Sequence, residues 1–244
     1  MDKMRGTDIK IENKFTKWLD NFWYHYKWPT IGIIFAAFVL IVCTLQLCER
    51  ESSDTFVMYA GPDTFTEEEK FNNIKGALKA VLPEDLNGDG EKVVTFVSNF
   101  IMSEEEIKKA KAEREAEGYA DFYVDTGLIS NNKKNFDNLI MAGEYSVCML
   151  SPYLYESVKE SDAFVPLDEI FDYEIAGAID ECGIKLSETD FGRYFPGVNT
   201  LPEDTILCMR RMSPLSTIIN KGTTEKEYAR SMKLFCAIVE YKAP

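Results

Sequence analysis

Residues 85–96 read DLNGDGEKVVTF, with oxygen-bearing side chains at alternate positions. A twelve-residue calcium loop places oxygen ligands at positions 1, 3 and 5, glycine at 6 and a bidentate acid at 12. Asp85, Asn87, Asp89 and Gly90 match the first half, and Glu91 falls where such a loop uses a backbone carbonyl. Position 12 is Phe96, so the closing carboxylate is missing and Ca2+ would be held weakly. The plainer reading is a helix-to-strand turn, because Asn-Gly and Asp-Gly tolerate positive φ. No other cofactor is indicated.

Histidine chemistry is confined to one place. His25 is the only histidine, and it sits among aromatic residues near the N-terminus. A Ser-His-Asp triad, a Cys-His pair or a histidine-ligated metal therefore cannot form in the rest of the chain. Carboxylates are abundant, but no spacing pairs two of them for hydrolysis. The chain reads as a non-enzyme.

Candidate binding residues lie instead where apolar strands run out. In open α/β sheets, ligands bind beyond the carboxyl ends of the strands. That rule selects Tyr59, Gly61, Pro62 and Asp63 after the first strand, Ser98 and Asn99 after the second, and Ser151 and Tyr153 after the third. Tyrosine faces beside Asp, Ser and Asn suit a sugar or a peptide, which offer an apolar face and polar edges. The alternative is that these residues only cap helices and make turns.

The strands that would position them are DTFVMYAGPD (54–63), KVVTFVSN (92–99), YSVCMLS (145–151) and DTILCMRRM (204–212). Helical periodicity covers 64–84, up to Pro83, and SEEEIKKAKAEREAEG (103–118), which Ser103 would cap. It recurs over 134–143, over 151–161 with Pro152 at the first position, and over 223–241. Between 172 and 203 the pattern is irregular, and GRYFPG (192–197) is either a lid or a packed loop. Strands alternating with helices predict an α/β fold, a mostly parallel sheet flanked by helices. Arg210 and Arg211 on the last strand face opposite sides, so at most one would be buried against a carboxylate.

The segment NFDNLIMAGEYSVCMLSPYLYESVKESDAFVPLDEI (135–170) resembles the first lobe of extracellular solute-binding proteins, the capture components of bacterial ABC importers. A helix ending in a Gly-acid turn, a strand, a second helix and a PL-acid element follow one another there. The resemblance extends faintly over Thr55–Tyr241. It implies one lobe of a fold that ordinarily closes two lobes on a ligand, and a role in capture or sensing. An assembly subunit that docks on a membrane complex and binds no small molecule is the alternative.

The N-terminal part differs in character. Between Lys27 and Glu49 lie twenty-one uncharged residues, and ~20 apolar residues suffice to span a bilayer as a helix. Trp18, Phe22, Trp23, Tyr24, Tyr26 and Trp28 precede the run as an aromatic belt. Lys3, Arg5, Lys10, Lys14, Lys17 and Lys27 lie on the same side, which keeps that side cytoplasmic. No A-x-A cleavage pattern follows, so the segment reads as an uncleaved anchor. The predicted division is 1–28 cytoplasmic and interfacial, 29–48 transmembrane, 49–54 linker and 55–244 extracellular α/β lobe.

The first 48 residues hold six Lys/Arg against four Asp/Glu, so the chain's net −14 leaves −16 for residues 49–244. Such a lobe repels phosphate backbones, which argues against nucleic acid as a partner. The partners expected are membrane lipid through the anchor, a membrane transporter or envelope protein, and a sugar or peptide ligand. Cys148, Cys208 and Cys236 sit in apolar runs and, with Cys182, read as free thiols sooner than as two disulfides.

Overall fold

The computed structural model describes residues 14–48, 53–118, 123–212 and 214–244. Two compact units result, Met1–Glu51 and Ser52–Pro244.

The first unit is one helix, α1 (Lys14–Cys48), which runs unbroken through Pro29. Proline has no N–H to give the carbonyl four residues back, a loss that membrane helices tolerate. The helix is continuous across residue 29, where the transmembrane segment is expected to begin. Within it Asn21–Val42 is long and apolar enough to cross a membrane. Ile33, Ile34, Phe35, Phe38, Leu40 and Ile41 are all exposed, so this stretch of the helix is apolar all round.

The second unit is an α/β lobe. Its elements are β1 (Thr55–Gly61), α2 (Glu68–Val81), β2 (Val94–Phe100), α3 (Glu104–Ala116), α4 (Thr126–Ala142), β3 (Val147–Leu150), α5 (Pro152–Lys159), β4 (Gly183–Lys185), α6 (Asp190–Tyr194), β5 (Ile206–Met209) and α7 (Pro214–Val239). The strands form one sheet in the order β2-β1-β3-β5-β4. The β1–β2 and β1–β3 pairs are parallel, whereas β5 runs antiparallel to both β3 and β4. The sheet is thus mixed, a correction to the mostly parallel sheet expected. Strand β4 comes from the stretch expected to be irregular.

Alternation along the strands divides the core in two. Val57, Tyr59, Phe96, Met149 and Leu207 face α2 and α7, meeting Ile74, Leu78, Leu234, Phe235 and Ile238. Met58, Ala60, Cys148, Leu150 and Cys208 face α4 and α5, meeting Phe136, Ile140, Leu154 and Tyr155. Each Val, Leu, Ile, Phe or Met among them, fully buried, contributes ~1.5–3 kcal/mol of transfer free energy. Cys148, Cys182, Cys208 and Cys236 are free thiols, and burial pushes Cys148 up to about 12. The GRYFPG stretch is packed: Phe195 lies 5.1 Å from the Tyr241 ring, and Phe191 beside it is buried.

Arg210 is only 7% exposed, yet among the described residues no carboxylate pairs with it. Its Nε donates to the Ile140 carbonyl at 2.5 Å, Nη2 to that of Met141 at 3.4 Å and Nη1 to that of Arg211 at 2.6 Å. The guanidinium therefore caps the carboxyl end of α4, where the helix dipole supplies the negative charge. Arg211 is half-buried and pairs with Glu169 at 3.2 Å.

Candidate functional site

Strands β1 and β3 are neighbours, but the chain leaves β1 toward β2 on one side and returns to β3 on the other. Helix α2, after β1, covers one face, and α5, after β3, covers the opposite one. This reversal makes the carboxyl ends of β1 and β3 the switch point of the sheet, the place where ligands bind in such sheets.

Tyr59 is buried on β1, and its hydroxyl reaches to the strand's end. A Cβ at Gly61 would stand 2.7 Å from Tyr59 Oη, so only glycine leaves the phenol its place. The Asp63 N–H donates to Tyr59 Oη at 3.2 Å. Asp63 in turn forms a close ion pair with Lys70, whose amine also donates to the Thr200 carbonyl at 3.3 Å. Burial, reinforced by the carboxylates of Asp63, Glu106 and Asp204, raises the Tyr59 phenol above its ordinary range, against the opposing Asp63 N–H. The phenol is therefore neutral and buried, with the carboxylates of Asp63, Glu106 and Asp204 around it.

Ser151 follows β3 directly, and its N–H donates to the Ala60 carbonyl at 2.9 Å. Its Cβ lies 3.4 Å from where a Gly61 Cβ would stand, so it flanks the Tyr59 hydroxyl. The residue is 4% exposed, and it occupies the N-cap of α5 without making a side-chain cap bond. Its Oγ is buried with no hydrogen-bond partner. A hydroxyl in that state costs ~1–3 kcal/mol on the scale of protein mutational data. The start of α3 shows the contrast: Glu106 N–H donates to Ser103 Oγ at 3.1 Å, and Ser103 N–H to Glu106 Oε2 at 2.6 Å. That reciprocal box satisfies both donors.

Tyr153 is exposed. With Pro152 and Glu156 it forms one wall of an open groove of about 900 Å3, whose other wall is Ser103–Glu106, Lys108 and Lys109, with Asp204 at the end. Asn99 is set apart from this group. The register matches Ala60 with both Asn99 and Leu150, so Asn99 faces the α4–α5 side, whereas Ser151 faces the other. Its Nδ2 is likewise buried without a partner. Tyr59, Asp63 and Ser151 thus come together, Tyr153 lines the adjoining groove, and Asn99 stands across the sheet. Glu106, Asp204 and Lys70 join the site unforeseen. Asp204 precedes β5, and the start of that strand lies at this edge because β5 runs against β3.

The DLNGDG loop lies at the opposite, amino edge of the sheet, before β2. Asp85 accepts the N–H groups of Asn87, Gly88 and Gly90 at 3.1, 2.7 and 2.6 Å. The Gly90 and Gly88 bonds hold its carboxyl below the ordinary aspartate value. Asp89 accepts from the Glu91 N–H at 3.0 Å and from Asn87 Nδ2 at 2.9 Å, and Glu91 itself is exposed. Gly88 and Gly90 adopt φ of +83° and +95°, as a turn requires. Among the described residues no group of three His, Cys, Asp or Glu is placed to hold a metal. Beneath the loop, buried Asp54 accepts the N–H groups of Leu86, Asn87 and Val93 at 2.6, 2.8 and 2.8 Å. Asp54, the last residue of the predicted linker, is thus bonded into the folded lobe.

No protein-family model, no curated protein and no solved structure matches the chain.

Proposed function

We propose that this chain is a membrane-anchored, non-catalytic binding protein that captures a ligand at the carboxyl ends of β1 and β3. The observation that carries the reading is the Ser151 hydroxyl, buried, free of any cap bond and placed at the switch point of the sheet. A polar group kept at a stability cost where ligands ordinarily bind is accounted for by a ligand that satisfies it. Tyr153 supplies a flat apolar face in the adjoining groove, and Glu106 and Asp204 supply polar edges. A sugar or a short peptide fits that combination, in keeping with the resemblance of residues 135–170 to a solute-binding lobe. Helix α1 anchors the lobe as a single-pass span, with the basic N-terminus cytoplasmic and the acidic lobe outside.

The test is a melting screen of the full chain in phosphatidylcholine nanodiscs against oligosaccharides and di- and tripeptides. A ligand at a hundred times its Kd should stabilise the lobe by ~2.7 kcal/mol, and Tyr153→Ala should reduce the shift. If neither class shifts the melt, the capture reading fails. An assembly role is the second reading, favoured by an acid-rimmed apolar groove lined by Leu167, Phe171 and Ile175.

A further inference from the structure

That groove, about 670 Å3 in volume, lies between the segment after α5 and the turn leading into β4, and shares no residue with the Tyr153 groove. Leu167 and Phe171, both rooted in the core, form its floor with Ile175 and Ala178. Tyr173 at its lip is 52% exposed, and Ile179, next in sequence to Ala178, is 46% exposed, so the apolar surface continues outward. The walls are fixed. Leu167 N–H donates to the Glu181 carbonyl at 2.7 Å, Ile179 N–H to that of Gly183 at 2.9 Å, and Tyr173 Oη to Glu240 at 2.9 Å.

The rim carries one sign of charge. Asp168, Asp172, Glu174, Asp180 and Glu181 line the groove, and no Lys or Arg is among its lining residues. Asp180 is neutralised by Lys159 at 2.7 Å. Among the described residues, none of Asp168, Asp172, Glu174 and Glu181 has an ion pair, although Lys185 and Arg211 nearby pair with Glu188 and Glu169. Four exposed carboxylates around an apolar concavity repel one another and every anionic ligand, and their field attracts cations.

We infer that this groove docks a segment of a protein partner that carries an apolar anchor flanked by lysines or arginines. The anchor fills the floor at Phe171 and Ile175, and the cations meet the four unpaired carboxylates. A small polycation would answer the rim but leave the floor empty, and an uncharged apolar segment would do the reverse. Docking here is independent of ligand capture at Ser151, so the two fail separately.

The experiment uses the full chain in phosphatidylcholine nanodiscs, with empty discs as the blank. A fluorescein-labelled amphipathic peptide of Leu and Lys is titrated by anisotropy, beside versions with Glu for Lys and with Gly for Leu. The Leu/Lys peptide should bind, and at least tenfold more weakly to D168N/D172N/E174Q/E181Q. Those four side chains are exposed, so the variant keeps the fold, and an unchanged melt verifies this. Added salt should weaken binding to the native chain more than to the variant. The inference is overturned if the variant binds undiminished or if the Leu/Glu peptide binds equally. It is overturned too if the Gly/Lys peptide or spermidine binds as tightly, which would make the rim a simple cation site.

Discussion

Replacing Ser151 with alanine separates a functional hydroxyl from a structural one by the sign of a stability change. An N-cap serine that bonds its helix costs ~0.5–2 kcal/mol when truncated to alanine. Ser151 makes no such bond, and its Oγ is buried without any partner. Removing the oxygen abolishes a desolvation penalty of ~1–3 kcal/mol, offset by the void of one atom beside Gly61 and Tyr59. The expected net effect is a gain of about 1 kcal/mol, which raises Tm by ~2–4 °C in a domain of this size. All three tryptophans, Trp18, Trp23 and Trp28, lie in α1, so unfolding of the lobe is best followed by tyrosine fluorescence and circular dichroism in urea. Ser151→Ala should raise the urea midpoint with an unchanged slope, while the ligand-induced shift shrinks. A gain in stability with a loss of binding is the signature of a group retained for function. A fall of ~0.5 kcal/mol or more would refute the reasoning, for it would show the hydroxyl to be an ordinary cap.

Other outcomes follow from the same geometry. Gly61→Ala should destabilise the lobe by ~1–3 kcal/mol through overpacking against the Tyr59 hydroxyl, and Tyr59→Phe should restore part of the loss in a double-mutant cycle. Asp54→Ala strands three N–H groups and should cost ~3 kcal/mol or more, read as a lowered urea midpoint. Burial pushes the Asp180 carboxyl up, but Lys159, the Tyr155 hydroxyl and two backbone N–H groups outweigh it and hold the group below the ordinary value. Its contribution is therefore complete above about pH 4 and is lost as pH falls below that, so the midpoint difference from Asp180→Asn should close in acid. Calorimetry with Ca2+ should give at best millimolar binding at Asp85, Asn87 and Asp89, and micromolar binding abolished by Asp89→Ala would contradict the turn reading.

Much of the lobe is legible in the sequence because its signals are local. The runs behind β1, β2, β3 and β5 show as apolar strands, and Ser103 with Glu106 announces the start of α3. Helix α4 begins at Thr126, earlier than periodicity suggests, because its early turns are polar and are started by Asp125. Strand β4 has three residues, too few to carry a pattern. The direction of β5 leaves no local trace, since TILCM pairs equally well either way. That single ambiguity hid Asp204 from the site. The strand-end rule selects Tyr59 and Ser151, which lie side by side, but the parity of the register, which a sequence does not print, places Asn99 on the other face. Alternation along the strand predicts that at most one of Arg210 and Arg211 is buried against a carboxylate, and nothing in the neighbours of Arg210 reveals that three backbone carbonyls receive it.

The antiparallel insertion of β5 also sets the order in which the lobe can be built. Strand β4 has one neighbour, β5, which emerges after it, and the free edge of β3 is covered only by that same strand. From Leu150 to Ile206 the chain must add 55 intervening residues, about 3–11 s at ~5–20 residues per second of synthesis. Throughout that interval the edge Val147-Cys148-Met149-Leu150 can recruit any other strand. The last strand is the lock of the sheet, and a chain cut between Leu150 and Ile206 is left as an open three-stranded sheet with an adhesive apolar edge.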